Sequence, residues 1–408
     1  MPPTKDILSL LDSVANVRNA YENDEAGSRD TLVELTLALL GKLEIPSEFL
    51  QRTFWAEPCK SGIIRLCVET KIFQYLRDAP QGLTTAELAE KTGRSWDLSL
   101  LQRYLSHISA MHVLTLSQGK WQSTPLSNGL AEQNYQSSIE FCYDSGMPSF
   151  FKFPEWTKST GYQGPKTDTD GPFQYAWDSK IPFFPWLQEH PPNLANFAQF
   201  MSAYRAGKPS WFDSGFYPVT ERIIEGFDAD YSDVLLCDVG GGRGHDMIEF
   251  TGRYPSLPGK IILQDQEAVL ASIEVAEPPF EVQVHDFFTP QPLRARAYSL
   301  HSILHDWGDD DGVRILENLR PALRPGYSRV LLFEIVVADD RPSFASTTMD
   351  MQMLAHTNGG ERTEKDWRRL IDRAGFRVVD IYTYPGVAES VIELDIDARE
   401  PPLVQDKR

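Results

Sequence analysis

Three features of this 408-residue sequence predict a doubly wound α/β domain with a mainly parallel sheet, preceded by a helical region. From about Tyr217 onward, short apolar runs alternate with helix-like segments, the pattern of a parallel sheet flanked by helices. The first of these runs leads straight into a glycine-rich turn, DVGGGRGHD from Asp238, of the kind that opens a ligand crevice at a strand end. The residues ahead of it read as amphipathic helices with one short hairpin. The length suits two or three domains, placed at 1–140, 141–216 and 217–408.

The net charge of −19 repels phosphate backbones and anionic membrane surfaces, so the expected ligand is a small molecule, with no nucleic acid and no membrane as partner. Cys59, Cys67, Cys142 and Cys237 are scattered, with no C-x-x-C pair, which fits free thiols in a reducing compartment. The segment MPPTKDILSLLDSV lacks the pattern of a secretory leader, and no apolar stretch is long enough to span a bilayer. A soluble, cytoplasmic protein is expected.

In the first region, Leu32, Leu35, Leu39 and Leu43 mark one apolar helical face that stops before Pro46. LTTAELAEKTG begins with a Thr85 cap and ends at Gly93. SWDLSLLQRYLSHISAMHVL follows as a second helix, and LTLSQGKWQSTP then turns at Gly119. Two short helices followed by a hairpin read as a winged helix. Between Thr84 and His112, Lys91, Arg94 and Arg103 are balanced by Glu87, Glu90 and Asp97, so the element has no electrostatic drive toward DNA and is assigned to dimerisation and packing. Residues 141–217 carry 20 Phe, Tyr and Trp, enough to wall a flat apolar ligand, although most such rings serve as core or interface.

In the last region the strand-like runs are VLLCDV, KIILQD, FEVQVHDFF, AYSLHSIL, RVLLFEIVV, FRVVDIYTY and SVIELDI. Only PGVAE separates the final two, too short for a parallel crossover, so they must form an antiparallel hairpin at the end of the sheet.

The glycine turn narrows the ligand. A dinucleotide fingerprint starting at Gly240 and Gly242 needs glycine at position 245, where His245 stands, and no G-K-[ST] follows for a phosphate loop. Asp265 closes the next strand, where a carboxylate can accept from both ribose hydroxyls. Asp286 and Phe287 close the third, an acid and a ring suited to an adenine. Three acids at successive strand ends beside GGGxG point to an adenosine ligand without a diphosphate, and S-adenosylmethionine (SAM) fits.

DVGGGRGHD, Asp265, HDFF, HSILHDW, LLFE and MLAHTNGGERTEKDW, in this order, resemble the plant and fungal small-molecule O-methyltransferases of the caffeate and flavonoid type, in their fungal secondary-metabolism branch. The resemblance is densest from Asn196 onward. It implies a class I methyltransferase domain with a Rossmann-like, mainly parallel sheet and an antiparallel C-terminal hairpin, plus a winged-helix-like N-terminal domain that builds a homodimer. Residues 141–216 then become a cap lining the substrate pocket. His305 becomes the general base, flanked by Glu334 and Glu361. Asp238, Gly240, Gly242, Asp265, Asp286 and Phe287 fall in the cofactor site, together with His301 through its backbone carbonyl and Trp307 near the purine. Phe197, Met201, Tyr204, Met349, Met353 and Asn358 fall in the acceptor pocket, Tyr204 standing where plant members often have histidine. No metal is implied.

Read singly, His305 suits a structural turn, Glu334 a buried ion pair and Glu361 a cap for the helix that follows. Asp306, Asp309, Asp310 and Asp311 are assigned to the amino terminus of GVRILENL, where negative charge stabilises a helix. The predicted activity is methyl transfer to a hydroxyl of an aromatic, polyketide-like molecule, with S-adenosylhomocysteine (SAH) as by-product. Two alternatives stand beside it: a non-methylating pericyclase, decarboxylase or hydroxylase on the same scaffold, and a SAM-sensing winged-helix regulator, which the neutral helix disfavours.

Overall fold

The computed structural model describes residues 4–396, apart from positions 274 and 276. The chain forms two compact units, one built mainly from Ala38–Ala206 and the other from Leu8–Leu37 together with the chain from Gly207 onward.

In the first unit, helices Thr85–Thr92 and Leu98–Ala110 lead into strands β1 (Leu114–Ser117) and β2 (Lys120–Ser123). The strands pair antiparallel about Gln118 and Gly119, both at positive φ, as a two-residue hairpin turn requires. The cap of the first helix is Thr84, not Thr85 as the sequence suggested. Thr84 is extended and accepts from the Glu87 amide, and Glu87 returns a carboxylate to the Thr84 N–H at 2.7 Å. Thr85 instead bonds the Trp121 indole N–H at 3.0 Å, tying helix to hairpin. Phe73, Leu76, Leu88, Leu105, Ile108 and Trp121 form the core of this part. The aromatic-rich stretch makes a second core from Phe141, Phe173, Phe183, Trp186 and Leu187, with Phe173 edge-on to Phe183 at 5.1 Å. Many of its rings therefore pack against each other.

The second unit holds β3 (Val234–Val239), β4 (Lys260–Asp265), β5 (Glu281–Val284), β6 (Ala297–His301), β7 (Arg329–Val337), the two-residue β8 (Arg362–Thr363), β9 (Phe376–Tyr382) and β10 (Glu389–Ile396). The order is β5-β4-β3-β6-β7-β10-β9, with β8 paired to β7. Strands β5 to β7 are parallel. The expected hairpin is present, but β10 also pairs antiparallel with β7, so the last strand lies inside the sheet and β9 takes the edge. Both faces are covered: Trp211, Phe212 and Phe250 pack on Leu235, Leu263 and Phe333, while Leu316, Trp367 and Leu370 pack on Cys237, Leu300 and Leu332. Burial on two sides explains why β3, β4, β6 and β7 read as continuous apolar runs. The strand order reverses between β3 and β6, so a crevice is expected at their carboxyl ends.

Candidate active site

The loop after β3 is shaped by what surrounds it. A side chain at Gly241 would meet the Asp238 carboxylate at 2.2 Å, so only glycine lets the backbone pass there. At Gly242, φ is +60° and a Cβ would meet nothing within 4 Å, leaving that side of the loop open to a ligand. The amides of Gly240 and Gly241 both donate to the Gln264 carbonyl, at 2.8 and 3.2 Å. Asp265 accepts from the Gly242 N–H at 2.9 Å and from the Gln266 N–H at 2.7 Å. Burial raises its pKa while those two amides lower it. Asp238 is buried and accepts from the Ser299 hydroxyl at 2.7 Å; burial, reinforced by the charge of Asp246, pushes it up to about 7.

Phe287 lies beside the loop, since a Cβ on Gly240 would stand 3.8 Å from its ring. Phe287, Phe288 and Trp307 pack edge to face, Trp307 lying 6.0 Å from Phe287 and 4.8 Å from Phe288. Asp286 is exposed and accepts from the Phe288 amide at 2.9 Å. His301 ends β6. Its Nδ1 is 2.5 Å from Asp246 Oδ2 and its Nε2 is 3.6 Å from Glu389 Oε2. Neither carboxylate was singled out from the sequence. Asp246 stood in view at the end of DVGGGRGHD, whereas Glu389 reaches the site only because β10 inserts beside β7.

Just past β6, Ser302 turns the chain with φ of +52°, and a 3-10 turn, Leu304–Asp306, presents His305. Glu334, from the middle of β7, accepts from the amides of Ile303 at 3.2 Å and Leu304 at 2.7 Å with one oxygen. Its other oxygen is 3.8 Å from His305 Nδ1. Glu361 Oε1 is 2.9 Å from the same Nδ1, and both glutamate side chains are fully buried. Glu361 does not cap the helix that follows it, which is capped by Thr363, whereas Glu334 does have the buried ion-pair geometry open to it on sequence alone. The neighbouring Gly360 donates its amide to the His305 carbonyl at 2.9 Å. A Cβ on Gly359 would lie 2.0 Å from that carbonyl oxygen, which explains the glycine at this position.

Burial alone favours neutral imidazole at His305, but the Glu334 charge and the Glu361 hydrogen bond outweigh it and push the pKa up to about 10. Burial pushes Glu334 up to about 7, although His305 draws it down. The ligand atoms of His305, Glu334 and Glu361 lie within 4.8 Å of one another, a spacing a cation site also has. The direct 2.9 Å contact, however, is a hydrogen bond. In the neutral tautomer Nδ1–H donates to Glu361, which leaves Nε2 as the acceptor.

Asp306 is not part of the next helix, Asp309–Leu319, whose first turn holds Asp309, Asp310 and Asp311. It sits in the His305 turn instead, where burial pushes its carboxyl up to about 6. The sequence grouped it with the helix acids because the four are nearly contiguous. Of the residues the resemblance assigns to the acceptor, Met349 and Met353 share the helix Phe344–His356, and Asn358 lies just past its end in the left-handed region, on the segment that leads to Glu361. Phe197, Met201 and Tyr204 belong to the first unit, on and just after the helix Pro191–Ala203. Phe197 packs 5.3 Å from Phe141, Tyr204 stacks on Phe200, and Met201 is exposed.

A class I SAM-dependent methyltransferase is the class that this strand order, glycine turn and strand-end acids define. The sequence profile of the O-methyltransferase domain matches residues 216–377. O-methyltransferase mpaG' of Penicillium brevicompactum is 52% identical over 392 residues, covering 95% of this chain and 98% of that one. Among solved structures, one titled "A Pericyclic Reaction enzyme" superposes with a TM-score of 0.86 at 24% identity, covering 97% of this chain and all of that one. OxaC, in complex with SAH and oxaline, superposes at 0.81 and 22% identity, covering 96% and 99%. The chain belongs to the same O-methyltransferase family as the Penicillium enzyme, and its cofactor is SAM. The residues at the site fit that cofactor: the half-buried Asp265 carboxylate, the open side of Gly242 and the rings of Phe287 and Trp307 suit a nucleoside, and His245 replaces the glycine a dinucleotide would need.

Proposed function

We propose that the protein methylates a hydroxyl of an aromatic, polyketide-like small molecule, with His305 as general base and Glu361 and Glu334 as the carboxylates that tune it. One observation carries this reading: the buried imidazole bonds a buried carboxylate through Nδ1 at 2.9 Å, with a second carboxylate 3.8 Å away. Phenols ionise near pH 10 and free imidazolium near 6.5, so proton transfer to an ordinary histidine is uphill by about 5 kcal/mol. With His305 pushed up to about 10, the two proton affinities match and transfer is close to thermoneutral.

Bound SAM supplies an electrophilic methyl on a cationic sulfur. Asp265 would hold the ribose hydroxyls, and Asp286, Phe287, Trp307 and the His301 carbonyl would hold the adenine. His305 takes the acceptor proton at Nε2 while Nδ1–H stays on Glu361. Glu334 stabilises the resulting imidazolium. Met349, Met353 and Asn358 flank the acceptor. The test is incubation of the full chain with SAM and a panel of dihydroxybenzoates and hydroxylated bicyclic aromatics. The expected result is a product one methyl group heavier and SAH in equal amount.

The fold shared with a pericyclic enzyme supports a second reading, in which the cofactor is held but no methyl moves. Replacing SAM with SAH separates the two, since methylation stops while a rearrangement continues. We also infer a homodimer formed through residues 1–140. Phe49, Leu50, Phe54 and Trp55 are all exposed there, an apolar set that a second copy would cover. Light scattering at twice the chain mass is the expected result. The hairpin with its two preceding helices supports the winged-helix assignment, and the fungal relatives support a place in secondary metabolism. Among the described residues no helix is long and apolar enough to cross a membrane, and a cytoplasmic location is the corresponding proposal.

A further inference from the structure

Arg362 is buried, 7% exposed, and has no place in the chemistry described above. Its guanidinium reaches the two carbonyls that bracket His305: Nη1 donates to Leu304 O at 3.0 Å and Nη2 to Trp307 O at 2.7 Å. Nε donates to Asp309 at 2.9 Å, and the group lies over the Trp367 ring with its carbon 5.0 Å from the centroid. The backbone of Arg362 forms β8, whose partner in β7 is Val336, two residues beyond Glu334. One residue before it, Glu361 bonds the imidazole; two before it, Gly360 bonds the His305 carbonyl. Arg362 thus ties together the strand that carries Glu334, the loop that carries Glu361 and the turn that carries His305.

We infer that Arg362 is a positioning residue for the base: its forked hydrogen bonds to Leu304 and Trp307 fix the turn that sets the His305–Glu361 contact. This rests on the proposed role of His305. A planar fork with donors on separate nitrogens can hold two carbonyls and a carboxylate at once, whereas a lysine ammonium at the same place is a single point with shorter reach. The positive charge also draws Glu334 toward its ionised form, which strengthens the field on the imidazole. Loosening the turn by about an ångström is enough to cost roughly 10²-fold in rate without altering what the cofactor touches.

The test uses Arg362→Met and Arg362→Lys in the full chain, alone and combined with His305→Ala. Turnover is measured on the panel phenol that the wild type methylates fastest, SAH binding by calorimetry, and imidazole titration by NMR of histidine labelled at Cε1. The His305 resonance is the one missing from His305→Ala. The expected result is kcat lower by about 10²-fold for Met and about tenfold for Lys. SAH affinity should hold within about threefold, and His305 should titrate at lower pH than in wild type. In the His305→Ala background, either Arg362 substitution should change the rate no further. Wild-type kcat with an unmoved His305 titration, or losses that multiply in the double variants, overturns the inference. If Arg362→Met does not fold, Arg362→Lys carries the same comparisons, because it keeps the charge but not the fork. A fully active His305→Ala would instead sink the assignment of the base, while the His305 titration would still report whether Arg362 sets its environment.

Discussion

Replacing Gly359 with alanine introduces one methyl group at the tightest point of the site. That carbon would lie 2.0 Å from the His305 carbonyl oxygen, 2.8 Å from the Asp306 carbonyl carbon and 3.0 Å from Asp306 Cα, all backbone atoms with no rotamer to escape into. Relaxed contact between such atoms needs about 3.5 Å, so the His305 turn and the Gly359 loop must part by roughly 1.5 Å. A misplacement of that size costs about 10²-fold in a reaction that depends on alignment. The neighbouring position supplies the control. A methyl on Gly360 meets only the tip of the Asp350 carboxylate, at 3.2 Å, and a small side-chain shift absorbs it. Steady-state kinetics on the panel phenol, with SAH binding by calorimetry, should show kcat down about 10²-fold for Gly359→Ala and within about threefold of wild type for Gly360→Ala. Cofactor affinity should hold in both. Wild-type turnover in Gly359→Ala, or equal losses at the two glycines, would refute the idea that this loop sets the base.

Other predictions follow from the same geometry. With His305 pushed up to about 10, the free protein carries it protonated at neutral pH, so kcat/KM for SAM should rise with pH from 7 toward 10; a profile flat over that range contradicts the assignment. The same shift has a stability consequence: the contribution is full below about 6.5 and is lost as pH rises through about 10, so the melting temperature should fall over that interval in wild type and less in His305→Ala. Asp265→Asn removes the charge that holds the Gly242 and Gln266 amides and should weaken SAH binding about 10- to 100-fold by calorimetry. Tyr298→Phe leaves the buried Ala295 N–H without its 2.8 Å partner and should lower unfolding free energy by about 1–3 kcal/mol in denaturant titrations, with kcat unchanged.

What the sequence made legible was local. The apolar runs, the glycine turn and Asp265 at the end of KIILQD all follow from short-range pattern, and the structure has them where the pattern puts them. The hairpin of the last two strands followed from a short connection. Its insertion beside β7 did not, because strand order is decided by packing between residues about 60 positions apart. That insertion brings Glu389 to His301. Arg362 was equally hidden: the two contacts that bracket His305 go to backbone carbonyls, which leave no mark in a side-chain pattern. Asp306 was misplaced because proximity in sequence to the three acids of the helix's first turn outweighed the single turn that separates them. Thr84 and Thr85 differ in role only by which of the two is extended.

The central claim is that His305 removes the acceptor proton. The direct test compares wild type with His305→Ala across a ring-substituted series of one phenolic acceptor whose pKa runs from about 10 down to about 7. If His305 is the base, the ratio of their rates is about 10² to 10⁴ for the least acidic phenol and collapses toward one as the acceptor ionises unaided at the assay pH. A ratio that stays constant across the series contradicts the claim.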